Sequence, residues 1–347
     1  MIPMSGTVSK GWLAKYLDVA FDYKYYFDPD VRYKTDAICS TYIKTSFHDL
    51  NIFNSESNLG QIDFITQDQV LIGGIQPNMI LGMLIGADFH PANERDADIS
   101  ATPLKELNID DLPSPKNVLQ HDLITLFDSQ IRDIQSKGKL TPIPPFFWDV
   151  SGRATIHGAL TTAQKFLGEN IFIDLMMQPE KIVAVMDWIT QCYIMLAKHF
   201  SDLVHLPITS VHVGECSGSM VDAAMFESFV APQAHNIAKV LGPLRFHSCG
   251  PSTHLLPGLK KAADVAALDL GGETSLTEVR KLYGPNLHVD IAPMATDLSA
   301  STSESLLAWA QRVVAENEGG RMRVVYHLEP DYNLDSIYTL HGYLKTV

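Results

Sequence analysis

From about residue 140 onward, two kinds of apolar pattern alternate along the chain. Short runs rich in Val, Ile, Leu and Phe predict strands, and longer runs with apolar residues every three or four positions predict amphipathic helices. The predicted strands are 142–148, 208–213, 244–248, 265–270, 287–291 and 323–328. The predicted helices between them are 179–200, 223–241, 253–263, 276–283 and 303–317.

This alternation predicts an α/β protein with a parallel sheet, because each strand is followed by a helix long enough to cross over. Ser275 with Glu278, and Ser301 with Glu304, have the spacing of capping boxes at helix starts. We expect a closed (β/α)8 TIM barrel, whose functional residues follow the carboxyl ends of the strands. The rival is an open dinucleotide-binding sheet, but no G-x-G-x-x-G segment follows any predicted strand.

The first 140 residues have a weaker pattern. We interpret residues 1–347 as one barrel domain in which residues 1–70 form an N-terminal cap, and we expect a helix at 117–134. Nothing in the sequence indicates the oligomeric state.

Charge and composition then exclude several classes of function. The 347 residues carry a formal net charge of −14, so no basic surface is expected for DNA or RNA. Glycine and proline interrupt the longest apolar stretches before they reach the roughly 18 residues of a membrane span. Four irregularly spaced cysteines and a start without a signal-peptide pattern predict a cytoplasmic protein.

The most informative chemistry lies at the end of the predicted strand 244–248. His247 and Cys249 are two positions apart, and side chains two apart on a strand point to the same side. An imidazole and a thiol on one side can bind one metal ion, and zinc is the ion that suits them.

Other polar residues follow the neighbouring strands. Glu215 comes after 208–213, and we expect it to be a metal ligand or a catalytic group beside His247 and Cys249. The adjacent Cys216 is expected to be a small buried filler. Glu329 and Asp331 follow the last strand, and one of them is expected to reach the mouth of the barrel.

Several short segments carry a resemblance to a known family. They occur in the family's order and are Phe146-Phe147-Trp148, Gly158-Ala159-Leu160, Met177-Gln178-Pro179-Glu180-Lys181-Ile182, Gly214-Glu215-Cys216-Ser217-Gly218, Phe226-Glu227-Ser228-Phe229-Val230-Ala231-Pro232, His247-Ser248-Cys249-Gly250, Leu328-Glu329-Pro330 and Leu334-Asp335-Ser336-Ile337. Together they resemble the uroporphyrinogen decarboxylase superfamily, and within it the zinc-dependent methyltransferases that pass methyl groups between a small substrate or coenzyme M and a corrinoid protein.

The resemblance implies a (β/α)8 barrel in which His247 and Cys249 match the H-x-C zinc motif. Those methyltransferases have a second cysteine after the last strand, where this chain has Glu329 and Asp331. We expect a carboxylate, Glu329 or Asp331, to replace that cysteine. Decarboxylation of a porphyrinogen is not expected, because Arg32 is the only arginine in the first 90 residues and the family's R-Q-A-G-R segment is missing.

The function that the resemblance implies is transfer of a methyl group, with bound Zn²⁺, to the cobalt of cobalamin held by a separate corrinoid protein. We expect a methoxylated aromatic donor, because Phe147 and Trp148 offer flat pocket walls and the expected ligand set is rich in oxygen. Methylamine, betaine or methanol are alternative donors. Two other functions remain open: a binding subunit without chemistry, and a metal-dependent lyase or hydrolase with Glu215 as general base.

Overall fold

The computed structural model describes residues 1–347 except 48, 51–67, 94, 101–108 and 300–302. In these residues the strands are β1 (Met4–Val8), β2 (Gln69–Leu71), β3 (Phe89–His90), β4 (Asp98–Ile99), β5 (Thr141–Ile143), β6 (Arg153–His157), β7 (Ser210–Gly214), β8 (Leu244–Ser248), β9 (Val265–Gly271), β10 (His288–Ala292) and β11 (Met322–Leu328). None of the helices in the same residues combines the length and apolarity needed to cross a membrane.

The α-helices include several long crossovers between the strands. They are Lys10–Tyr16, Tyr23–Phe27, Pro29–Ser46, Pro77–Met83, Asp122–Lys137, Ala159–Leu167, Ile171–Met177, Pro179–Val204, Ala223–Met225, Ala231–Leu241, Leu256–Ala262, Leu276–Tyr283, Ala295–Ser299, Ser303–Glu316 and Leu334–Leu344. Short 3₁₀ turns are Ile109–Asp111, Pro115–Gln120, Cys216–Met220 and Thr253–Leu255, and a π-helical segment is Phe226–Val230.

Seven strands form one curled parallel sheet in the order β1-β11-β10-β9-β8-β7-β6. Cross-strand partners bring four residues to one level near the carboxyl ends of the strands. His157 pairs with Gly214, Gly214 with His247, and His247 with Asp269. This register places three polar residues and one glycine from four neighbouring parallel strands side by side, in agreement with the α/β prediction.

Side chains alternate between the two faces of this sheet, as strand geometry dictates. One face is apolar and packs on the helices; for example, the rings of Phe246 and Phe226 lie 6.3 Å apart. The opposite face is polar and carries Arg153, His157, His212, Arg245, His247, Asp269, Asp290 and Arg323. The side chains of this sheet that could take part in binding or catalysis therefore lie together on the polar face.

The closed barrel that the sequence predicted is not complete in the described residues. β1 and β6 are the two edges of the seven-stranded sheet, and β2 pairs with β5 in a separate parallel pair. The predicted strand 142–148 is also too long, because β5 ends at Ile143. Two prolines without N–H groups follow it, and Phe146 has a φ of 67°, so the backbone leaves extended geometry there.

Other predicted elements agree closely with the structure. The strand 244–248 and the helix 276–283 have the predicted bounds. Ser275 caps the helix as predicted, since its Oγ accepts a hydrogen bond from the Glu278 N–H at 3.4 Å. The predicted helix 223–241 contains a π-helical segment before Pro232, which has no N–H for an α-helical bond. The predicted Ser301 cap lies outside the described residues.

Two strands of the sheet, β1 and β6, were not predicted from the sequence. β1 lies in the first ten residues, where we expected part of an N-terminal cap, and it pairs with β11. Its sequence, Met-Ser-Gly-Thr-Val, has too few apolar residues to stand out. The extent of a cap over residues 1–70 stays a prediction.

A ladder of buried charges crosses the polar face. Arg245 bonds to Asp269 at 2.8 Å and to Asp290 at 2.5 Å, and Arg323 bonds to Asp290 at 2.7 and 2.8 Å. His288 adds a contact to Asp290 at 2.8 Å. Burial opposes ionisation of Asp290, but these three partners outweigh it and hold the pKa of this carboxyl below its ordinary value.

We predict that Asp290→Ala destabilises the protein by about 3 to 5 kcal/mol, because two buried guanidinium groups lose their shared carboxylate. Asp133→Ala is the matched control: Asp133 forms an exposed pair with Lys137, and its removal is expected to change stability far less, because solvent screens the pair. Urea unfolding of the three proteins measures both values. Equal midpoints for Asp290→Ala and Asp133→Ala would contradict the structural role of the ladder.

The lowered pKa of Asp290 also fixes a direction of pH dependence. A carboxyl whose folded pKa lies below its unfolded value of 3.8 stabilises the fold above that pH, and this stabilisation is lost as pH falls further. The free energy of unfolding of Asp290→Asn is therefore expected to fall less steeply below about pH 4 than that of the native protein.

Candidate metal centre

Three potential metal ligands meet at the carboxyl ends of β7 and β8. The ligand atoms of Cys216, His247 and Cys249 all lie within 4.8 Å of one another. No other group of three His, Cys, Asp or Glu side chains meets this criterion in the part of the chain that the structure describes. The prediction from His247 and Cys249 thus corresponds to a real cluster, and its third member is Cys216.

Cys216 reaches the cluster because the loop after β7 is tied to β8. The backbone N–H of Glu215 donates to the carbonyl oxygen of His247 at 2.8 Å. Gly214 is the cross-strand partner of His247. Cys216 and Cys249 each lie two residues beyond these partners, so the two thiols arrive at the same level.

Glu215 has a different environment from the one expected of a ligand. Its Oε1 accepts from the N–H and the Oγ1 of Thr161 at 2.8 and 2.6 Å, and its Oε2 accepts from the Leu160 N–H at 3.2 Å. Burial raises the pKa of this carboxyl to about 7, although the hydrogen bonds from Thr161 and Leu160 lower it. Glu215 binds the amino end of the helix Ala159–Leu167 and lies outside the three-residue cluster.

The hydrogen bonds of Glu215 nevertheless stabilise the cluster, because they fix the loop that carries Cys216. Thr161 Oγ1 also accepts a hydrogen bond from the Ser217 N–H at 3.0 Å. Gly158 lets the two segments approach, since a Cβ at that position would collide with the carboxylate of Glu215.

Glu329, the other carboxylate expected as a ligand, also lies outside the cluster. Its Oε1 is 3.4 Å from His327 Nε2, and the His327 Nδ1 lies 2.6 Å from Thr7 Oγ1. Burial raises the pKa of Glu329, and a hydrogen bond to Ser9 opposes this change. The structure therefore places Glu329 beside β1 and β11, and it does not bring it together with His247 and Cys249.

Asp269 contacts the imidazole of His247 from the neighbouring strand β9. His247 Nδ1 lies 2.9 Å from Asp269 Oδ2, as an ion-pair contact rather than a well-directed hydrogen bond. Because Nδ1 faces Asp269, Nε2 is the nitrogen left for a metal ion. A carboxylate behind a ligating histidine is the usual arrangement at metal sites, where it fixes the orientation of the ring.

The charges of the three donors are strongly linked. Burial opposes a charge on His247, but Asp269 and Cys216 raise its pKa well above the ordinary value. A hydrogen bond from Cys249 and the neighbouring imidazole lower the pKa of Cys216, and the same bond raises the pKa of Cys249. The two thiols therefore do not ionise independently, and a negative charge is more favourable on Cys216 than on Cys249.

One nitrogen and two sulfur donors form a set that suits zinc. Zn²⁺ binds thiolates and imidazole tetrahedrally, and sites with three protein ligands keep a fourth position for water or substrate. Asp269 supplies the supporting carboxylate that such sites commonly have. The donor chemistry of Cys216, His247 and Cys249 therefore fits a zinc ion.

The expected pocket residues are part of the core. Phe147 is 1 % exposed and Trp148 is 3 % exposed. The indole N–H of Trp148 has no hydrogen-bond partner among the residues that the structure describes. Neighbouring Phe146 packs on Tyr193 and Phe200, with ring centroids 6.1 and 6.0 Å apart.

His157, at the end of β6, was not singled out from the sequence. Its strand went unpredicted, so nothing marked it as a strand-end residue. Burial lowers its pKa to about 4, which leaves the imidazole neutral near pH 7. A Cβ placed on Gly214 would lie 3.9 Å from Cδ2 of both His157 and His247, so the two rings flank this glycine.

Comparison with solved structures finds proteins of similar fold. A methyltransferase from Methanosarcina mazei has a similar structure, with a TM-score of 0.64 at 12 % sequence identity, over 99 % of this chain and 94 % of that one. At this identity the match concerns the fold. No protein-family model matches the chain, and no curated protein matches it by sequence.

We predict that the purified protein binds about one zinc ion per chain, and that Cys216→Ser, His247→Ala and Cys249→Ser each hold less than about a tenth of an equivalent. Cys192→Ser is the control, because Cys192 is buried in the helix Pro179–Val204, and it should keep its zinc. Metal analysis after gel filtration measures the content. Full zinc in Cys216→Ser, together with its loss in Glu215→Gln or Glu329→Gln, would contradict the sulfur-rich set.

Proposed function

We propose that this protein is a zinc-dependent methyltransferase that moves a methyl group from a small methylated substrate to the cobalt of a separate corrinoid protein. The observation that carries the proposal is the cluster of Cys216, His247 and Cys249 at the strand ends of a parallel sheet. The similar fold of a methyltransferase supports it. We also infer that the fold is a (β/α)8 barrel with the cluster at its mouth.

Bound zinc would polarise a donor atom of the substrate, and so stabilise negative charge that develops on the leaving group. The chain contributes the arrangement around it. Asp269 orients the His247 ring, and Glu215 fixes the loop of Cys216 on the helix Ala159–Leu167. The deprotonated thiols of Cys216 and Cys249 would contribute two negative charges, which balance the two positive charges of the zinc ion.

The donor set bears on the substrate. A ligand set rich in oxygen would favour a methoxylated aromatic as the methyl donor. The cluster supplies two sulfurs and one nitrogen instead. The proposed pocket walls, Phe147 and Trp148, are buried. Methoxylated aromatics therefore have no advantage over methylamine, betaine or methanol as the proposed methyl donor.

The alternative functions have less support. A hydrolase or lyase with Glu215 as general base needs a carboxylate oxygen free to take a proton from water. Both oxygens of Glu215 accept bonds from the helix Ala159–Leu167, and they would have to give these up. A binding subunit without chemistry would not need a three-donor cluster supported by a buried aspartate.

We predict methyl transfer to cob(I)alamin from at least one donor in a panel of methanol, methylamine, betaine and a methoxylated benzoate. Cys216→Ser, His247→Ala and Cys249→Ser should each lower the rate by about a hundredfold or more, because a metal ligand supplies several kcal/mol of charge stabilisation.

The absorbance of cob(I)alamin and methylcobalamin follows this reaction directly. Cys192→Ser, which alters a thiol outside the cluster, should keep the native rate. If the three ligand variants transfer methyl groups as fast as the native protein, the proposed role of the metal is wrong.

A further inference from the structure

His157 lies beside the cluster, at the end of β6. Its Nδ1 is buried and has no hydrogen-bond partner in the described part of the protein. Most buried histidines bond through at least one nitrogen, because an unsatisfied polar atom in the interior costs free energy.

The other edge of the ring faces the space over Gly214. Cδ2, which is bonded to Nε2, lies 3.9 Å from the position of a Cβ on Gly214. Cδ2 of His247 lies at the same distance from that position on the opposite side. The two imidazoles thus border one gap, which exists because residue 214 has no side chain.

Residue 214 itself contributes no side chain to the space between the two rings. A Cβ at this residue would meet no atom closer than 3.9 Å, which is an ordinary van der Waals distance. His157 and His247 stand on the two strands that flank β7, so a small group can lie between their rings above Gly214. One wall of the gap is His247, a proposed zinc ligand, and the other is His157.

We propose that the gap over Gly214 is the substrate seat, and that His157 Nε2 hydrogen-bonds a polar group of the substrate a few atoms from its metal-bound atom. A neutral imidazole offers one donor and one acceptor, so the group is a hydroxyl, an amine or a similar uncharged polar function. This inference rests on the proposed function and adds to it a second recognition point, which selects small methylated compounds with such a group.

Cobalt-substituted protein tests this directly, because Co²⁺ absorption reports which molecules bind the ion. The probes are two pairs that differ by one hydroxyl: 2-mercaptoethanol with ethanethiol, and 3-mercaptopropanol with propanethiol. In the native protein at least one hydroxythiol should bind about five- to tenfold more tightly than its partner thiol, as one buried hydrogen bond provides.

Four variants separate hydrogen bonding from packing. His157→Ala should abolish the preference for the hydroxythiol and leave binding of the plain thiol nearly unchanged. His157→Gln should restore much of the preference, because its amide lies as many bonds from Cβ as Nε2 does. His157→Asn should not, since its amide corresponds to Nδ1. Gly214→Ala should weaken all four probes, because its methyl group occupies the gap.

The outcomes distinguish this inference from the proposed function. If the native protein binds no Co²⁺, the metal cluster itself fails. If Co²⁺ binds but neither hydroxythiol is preferred, or His157→Ala keeps the preference, His157 does not contact the ligand. If His157→Ala loses Co²⁺, His157 is a ligand or supports the fold, and the inference is overturned as well.

Discussion

The contact between Asp269 and His247 is the constraint on which the site depends. A buried carboxylate is costly unless it is paired, and Asp269 is paired on two sides, with His247 and with Arg245. Arg245 in turn bonds Asp290, which also holds Arg323. The orientation of one imidazole is therefore determined by a chain of charges that spans four neighbouring strands. The polar face of the sheet is the support of the cluster as well as its location.

A ligand set of two cysteines and one histidine has chemical consequences that differ from those of the expected set with Glu215 or Glu329. Two thiolates and a neutral imidazole would cancel the charge of Zn²⁺, whereas Glu215 and Glu329 lie in hydrogen-bonded positions away from the cluster. Glu215 has a supporting role instead, because it holds the segment with Cys216 against the helix Ala159–Leu167. A carboxylate next to a cysteine in sequence can thus matter for a metal site without touching the metal.

Much of the fold could be predicted because many of its elements have a local signal. The strand 244–248 is apolar and bounded by loops, and the helix 276–283 has a capping serine, so both bounds were correct. β1 and β6 were missed because short strands with few apolar residues look like loops. The closed barrel was predicted but is not complete in the described residues, since the pairing of distant strands leaves no local signal from which to judge closure.

The sequence predicted only the part of the site that lies at the end of one strand. His247 and Cys249 lie on the same segment, so their spacing was informative. Cys216 follows the neighbouring strand β7, and its approach to His247 and Cys249 depends on the register between Gly214 and His247. Without that register, a cysteine after a glutamate is indistinguishable from a buried filler. His157 was missed for a related reason, because its strand was not recognised.

The ligand set is the central claim, and X-ray absorption at the zinc edge of the purified protein tests it most directly. We expect two sulfur scatterers at about 2.3 Å and one imidazole nitrogen at about 2.0 Å, with a fourth light atom from water or substrate. A spectrum with a single sulfur and several oxygen atoms would place a carboxylate on the metal. Such a spectrum would contradict the site described by Cys216, His247 and Cys249.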